Sequence, residues 1–198
     1  ADEYRTTEAN APAYAEQTGL RPGSPYARTK AAAELLGSLA AERGLDVMRV
    51  RSFNHTGAGQ SDAFVASSFA KQIAEMKEGI REEKMAVGNL ESVRDFLDVE
   101  DVLSAYIRLL DPSVRPDVFN VASGVPVKVA DLLATLIDLA GVDPEVGVNS
   151  DYFRPTDQLV GDATRLREAT GWEPTIPLRD TLHALLEGWR TQIRETAN

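Results

Sequence analysis

The sequence predicts an α/β protein. Three observations point there: short β-prone runs alternate with amphipathic helical stretches, glycine- and proline-bearing turns separate them, and 43% of the 198 residues are hydrophobic. That is enough for one sizeable core, or for one domain with part of another. Residues 5–23 are polar and carry Pro12, Gly19, Pro22 and Gly23, as a long surface loop does. Ser24 is a suitable N-cap and Pro25 suits the first helical turn, so a helix is expected over about 24–43, stopped by Gly44. Val47, Met48 and Val50 form a short strand, and the run from Ser52 to Asp62 is too polar and glycine-rich for either element, hence a loop. Phe64, Val65, Phe69, Ile73 and Met76 recur at helical spacing up to Gly79.

Further along, Met85 to Val87 and Asp95 to Leu97 read as strands, and Asp98 or Asp101 caps a helix reaching Leu110. Phe119 to Ala122 is strand-like, Ser123-Gly124 a turn, and Val129 to Ala140 a helix with Leu132, Leu133, Leu136, Ile137 and Leu139 apolar. Val146 and Val148 mark another strand, Ala163 to Thr170 a short helix, and Leu178 to Arg194 a long closing one. No repeat, low-complexity tract or Ser/Gly linker interrupts the chain, so it is read as a single body without a cut.

Composition narrows the function classes. Thirty-one acids against 21 lysines and arginines leave a formal charge of -10. Such a field repels nucleic acid and anionic membrane surfaces, so neither is expected as a partner. A few arginines can still build a local pocket for an anionic small ligand. The absence of cysteine excludes disulfides, thiolate nucleophiles and cysteine-ligated metals, and His55 and His183 lie too far apart in sequence to suggest a metal site. No apolar run is long enough to span a bilayer, and the expected location is cytoplasmic. His183, Trp172 and Trp189 are read as structural residues, and Arg81 to Lys84 as a solvated turn.

The segment that carries chemistry is Tyr26-Ala27-Arg28-Thr29-Lys30. Four residues apart on a helix, the phenol and the ammonium share a face. A cation close to a phenol favours phenolate, so such a pair can pass a proton to or from a hydroxyl or carbonyl oxygen. Taken alone, the spacing also occurs on purely structural helices.

Around that pair, Ser24-Pro25-Tyr26-Ala27-Arg28-Thr29-Lys30-Ala31-Ala32-Ala33-Glu34 resembles the active-site helix of extended short-chain dehydrogenases/reductases. Further matches follow in the family's order: Arg51 to Gly57, Phe64-Val65, Gly88-Asn89-Leu90, Arg94-Asp95-Phe96 with Asp98 to Val102, Phe119 to Gly124, Arg154-Pro155-Thr156-Asp157, Gly161-Asp162 and Gly171 to Pro174. The Asn54-His55-Thr56-Gly57 and Arg154 to Asp157 segments look most like the GDP-mannose branch, which holds 4,6-dehydratases and GDP-4-keto-6-deoxymannose reductases. The resemblance implies a Rossmann-type enzyme using NADP or NAD, homodimeric when complete. Its expected activity is reduction of GDP-4-keto-6-deoxymannose at C4, with a dehydratase, another epimerase, or a non-catalytic nucleotide-sugar-binding module as alternatives.

Carried over by position, the resemblance gives Tyr26 and Lys30 the catalytic and cofactor roles. Asn54 and His55 would lie beside the cofactor, with Asn54 also facing the substrate. Val65 would lie near the base, Arg94 and Arg154 would bind the diphosphate, and Asp157 would take a ribose hydroxyl. Asp2 stands where dehydratases have a proton-abstracting glutamate; its shorter arm tilts the reading to the reductase, although Glu3 beside it keeps the dehydratase open. The family's glycine-rich phosphate loop has no counterpart here, since Gly57-Ala58-Gly59-Gln60-Ser61-Asp62 ends on aspartate and has no βαβ unit around it. The chain, which opens on Ala1 without an initiator methionine, is therefore expected to be a single fragment. It would contain the end of the cofactor-binding domain interleaved with the carboxy-terminal nucleotide-sugar-binding region. Exposed apolar surface and poor solubility are expected of it.

Overall fold

A computed structural model describes residues 13–149 and 158–196. The elements are α1 (Pro25–Glu42), β1 (Arg49–Ser52), β2 (Asn54–Thr56), α2 (Val65–Lys77), β3 (Lys84–Val87), β4 (Val93–Asp98), α3 (Val99–Leu109), β5 (Val118–Val121), β6 (Pro126–Lys128), α4 (Val129–Ala140), β7 (Glu145–Val148), β8 (Gln158–Leu159), α5 (Thr164–Thr170) and α6 (Leu178–Thr196). The α/β class holds, and two of the strand pairs are parallel: β1 with β5, and β3 with β7. β4 stands between β2 and β6 in a further sheet, with β8 also beside β4. Of these strands, β2 falls inside the run read as a loop, and β6 and β8 in stretches to which the sequence assigns no element. They are two or three residues long, and pairing in the β4 sheet, rather than local propensity, makes them strands.

The described residues form two compact units, each assembled from three stretches: residues 13–55, 95–126 and 158–175 in the first, and 56–94, 127–149 and 176–196 in the second. Three of the changes of unit fall within β2, β4 and β6, and another lies in the irregular stretch between α5 and α6, so no single cut separates the units.

The first unit has a core of Phe53, Leu97, Val102, Ala105, Leu109, Phe119, Val121, Leu159, Leu166 and Trp172. Trp172 is fully buried, and its indole N–H donates to the Asp101 carbonyl and to Ser104 Oγ, so the ring loses water without an orphaned donor. The Asp101 carboxylate accepts from the Thr175 backbone N–H and hydroxyl. Asp95 is buried in the same unit and ties three segments together. One carboxylate oxygen accepts from the Ser123 N–H and hydroxyl at 2.9 and 2.6 Å, the other from the Gly124 and Gly161 N–H groups at 2.9 and 3.2 Å. Burial pushes the Asp95 carboxyl above its ordinary value, against the pull of those four donors.

The second unit is built on α2, α4 and α6, which pack pairwise. Ala66, Phe69, Ala70 and Ile73 form the buried stripe of α2, and Leu132, Leu133 and Leu136 that of α4. On α6, Leu182, Leu185 and Leu186 are buried, each contributing about 1.5–3 kcal/mol of transfer free energy. His183 on the same helix is exposed. Gly141 closes α4 at φ 63°, a left-handed C-cap that a side chain would strain.

Candidate active site

α1 starts as the sequence predicts. Ser24 accepts from the Ala27 N–H at 3.0 Å and Pro25 occupies the first turn. Yet Ala27 is the only residue of this 18-residue helix that is buried, while Leu35, Leu36 and Leu39 are exposed. The apolar surface expected of the chain is therefore present on α1, and also on α3 at Leu103 and Ile107 and at its C-cap Leu110.

Polar clamps fix α1 within its unit. Arg51 of β1 is 6% exposed, and its guanidinium grips the Glu34 carboxylate with two N–H groups, the Nε bond measuring 2.8 Å. Its third donor group reaches the Glu16 carbonyl at 3.0 Å. Arg49, two residues earlier on the strand, donates to Ser38 Oγ. A planar fork matched to a carboxylate orients as well as attracts. This clamp was missed in the sequence, because the partners lie 17 residues apart on different elements and only the fold pairs them.

The outcome is a fixed helix with Tyr26 and Lys30 on one exposed face. Lys30 Nζ lies 5.4 Å from the centroid of the Tyr26 ring, and the ring is 57% exposed. A ligand can therefore reach the phenol with a cation already beside it. The structure thus brings these two predicted residues into direct proximity. Asn54 is half-buried in β2. His55, exposed on the same strand, has Nδ1 3.0 Å from the Phe53 carbonyl; a carbonyl only accepts, so Nδ1 carries the proton of that bond.

Val65 opens α2 and is half-buried. Arg94, half-buried in β4, donates to the Val93 carbonyl at 2.9 Å. Both belong to the second unit, whereas Tyr26, Lys30, Asn54 and His55 belong to the first. Asp2, Arg154 and Asp157 lie outside the described residues. Among the described residues no group of three or more histidines or acids is arranged to hold a metal ion. No described helix is long and apolar enough to cross a membrane.

The sequence model of the GDP-mannose 4,6-dehydratase family matches residues 6–185. The chain belongs to this family. The chain is similar to a GDP-6-deoxy-D-mannose reductase of Pseudomonas aeruginosa, 42% identical over 177 residues that make up 88% of this chain and 58% of the relative. A GDP-mannose 4,6-dehydratase of Arabidopsis thaliana is 30% identical over 170 residues, 83% of this chain and 46% of that protein. The solved structure of RMD from Pseudomonas aeruginosa complexed with NADPH superposes with a TM-score of 0.90 at 39% identity, covering 96% of this chain and 64% of that one. The chain thus spans about half to two thirds of the length of these relatives. The family membership and the Rossmann-type α/β architecture agree with the resemblance drawn from the motifs.

Proposed function

We propose that the protein carrying this chain is an NADP-dependent nucleotide-sugar oxidoreductase that reduces GDP-4-keto-6-deoxymannose at C4, giving GDP-rhamnose. The 42% identity to a GDP-6-deoxy-D-mannose reductase carries this reading, since it exceeds the 30% shared with a dehydratase of the same family. The adjacent, exposed Tyr26 and Lys30 suit it chemically.

A nicotinamide ribose presents hydroxyls to hydrogen-bonding side chains, and the exposed Tyr26, Lys30 and His55 with the half-buried Asn54 are groups of that kind. They are the residues proposed to hold NADP. Bound in its reduced form, NADPH, the cofactor would supply the hydride for the C4 carbonyl carbon.

The rest is work for the chain's own side chains. Tyr26 gives its phenolic proton to the C4 oxygen as negative charge develops there, so neutral alcohol forms rather than alkoxide. Lys30 stabilises the phenolate left behind and holds it toward the oxygen. The Arg51–Glu34 clamp keeps both side chains on one rigid helix, sparing the reaction the entropy of assembling them. Arg94 and Arg154 bind the diphosphate, Asn54 the diphosphate or sugar, Asp157 a ribose hydroxyl, and Val65 packs beside the base. In this division the first unit belongs to the cofactor-binding domain and the second to the nucleotide-sugar-binding region.

The complete protein is proposed to act as a cytoplasmic homodimer. Two incubations of protein expressed from its complete reading frame test the reaction. GDP-4-keto-6-deoxymannose with NADPH should yield the deoxyhexose and oxidised cofactor. GDP-mannose without added NADPH should remain unchanged; its conversion to the keto sugar would make the protein a 4,6-dehydratase, with Asp2 or Glu3 as the abstracting carboxylate.

A further inference from the structure

Residues 57–64 link β2 to α2 and have no regular structure; most of them, including Ala58, Asp62 and Phe64, are exposed. A loop of this kind is held from outside if it is held at all. Two consecutive residues of α6 in the same unit reach it by three routes.

The first is close approach. Gly188 lies inside a 19-residue helix, where glycine costs about 1 kcal/mol relative to alanine. A Cβ at Gly188 would come within 3.2 Å of the Ala58 Cβ, so the bare helix backbone is what lets the loop lie against it. The second route is a hydrogen-bonded relay. Trp189 Nε1 donates to Ser67 Oγ at 2.9 Å, and that hydroxyl donates to the Gln60 carbonyl at 2.6 Å. The Gln60 side chain in turn accepts from Thr56 Oγ1 at 2.7 Å. Ser67 is fully buried, so this relay is shielded from competing water. The third is charge. Lys71 Nζ sits 5.3 Å from the Trp189 ring centroid and pairs with Asp62 at 2.6 Å. The apolar face of α6 is already supplied by Leu182, Leu185 and Leu186, so the half-buried Trp189 is not needed simply to fill core.

We infer that Gly188 and Trp189 are positioning residues for nucleotide binding. Together they set the conformation of the loop that delivers Val65 and thereby tune how tightly the nucleotide end of the substrate is held. The inference rests on the proposed placement of Val65 beside the base.

The test uses protein from the complete reading frame carrying Trp189→Phe, Ser67→Ala, both together, or Gly188→Ala. Trp189→Phe keeps an aromatic ring while removing the relay's N–H and the second ring of the indole. KM for the GDP-sugar should rise roughly three- to tenfold in each single variant, with kcat changed less than about twofold. The double variant should be no worse than the poorer single, as expected for two members of one relay. Amide exchange over residues 57–64 should accelerate in all of them. Gly188→Ala is the sharpest case, because alanine favours the helix: its Tm should be at or above the parent's while KM rises. Losses that follow Tm through the whole set, or additive effects in the double variant, overturn the positioning role. If GDP protects the Val65 amide in the unsubstituted protein but exchange and KM are unaltered in the variants, this inference alone falls. If GDP leaves Val65 unprotected in the unsubstituted protein, the placement of the base falls, and the inference with it.

Discussion

Glu34→Gln tests how α1 is held. The substitution keeps the side chain's shape, removes its charge, and replaces one carboxylate oxygen with an amide N–H₂ that meets a guanidinium donor head-on. Arg51 is 6% exposed and Glu34 16%, so the cation left behind is poorly hydrated. Removing one partner of a buried pair costs about 3–5 kcal/mol. Arg51 keeps its bond to the Glu16 carbonyl, which places the expected loss near the lower end, about 3 kcal/mol. For a chain of this size that corresponds to a fall in Tm of roughly 6–12 °C. Thermal and urea unfolding followed by circular dichroism read the loss. Because α1 buries only Ala27, the deficit should come with faster amide exchange along α1 and a reduced kcat. A loss below about 0.5 kcal/mol, the range of an ordinary surface change, would refute the view that this clamp fixes the helix.

Three further outcomes are expected. The Arg194 and Arg190 hydrogen bonds hold Glu78 at about 2, well under the ordinary carboxylate value of 4.5, so the α2–α6 clamp contributes fully above pH 4.5 and fades as pH falls toward 2. Acid unfolding of Glu78→Gln should therefore be less pH-dependent than the parent's across that window, and identical acid profiles would contradict the assignment. Gly161→Ala would bring a Cβ within 2.4 Å of the Ala122 Cβ and 2.6 Å of Phe53 Cε2 in the first unit's core. The overpacking should cost about 1–3 kcal/mol or more in urea unfolding, and unaltered stability would show that this core can give. Tyr26→Phe should lower kcat by roughly two to four orders of magnitude with KM little changed, as expected for loss of a proton donor. A full-rate phenylalanine variant would remove Tyr26 from the chemistry.

Elements with strong local signals were legible in the sequence. The helix Val129–Ala140 was read to the residue, because Leu132, Leu133 and Leu136 repeat at helical spacing and Gly141 stops the run. The Tyr26–Lys30 pair was legible for the same reason: spacing of four on a helix is itself a statement about proximity. The short strands β2, β6 and β8 were not, since their pairing is with β4, far away in sequence. The two interleaved units left no composition shift, because three of the changes of unit fall inside short strands. The Arg51–Glu34 clamp had no sequence signal for a similar reason. Gly188 did have one: a glycine in the middle of an otherwise regular helical run calls for a close neighbour, and Ala58 is that neighbour.

Isotope transfer tests the proposed activity most directly. Protein from the complete reading frame is given GDP-4-keto-6-deoxymannose and NADPH deuterated at the transferable position, and the sugar is analysed by mass spectrometry and proton NMR. Reduction by the proposed route puts one deuterium on C4 of the product in the unsubstituted protein, and Tyr26→Phe forms that product far more slowly. Absence of deuterium at C4 while the keto sugar and NADPH remain unconsumed, or conversion of GDP-mannose to the keto sugar in its place, would contradict the assignment of this chain to a C4 reductase.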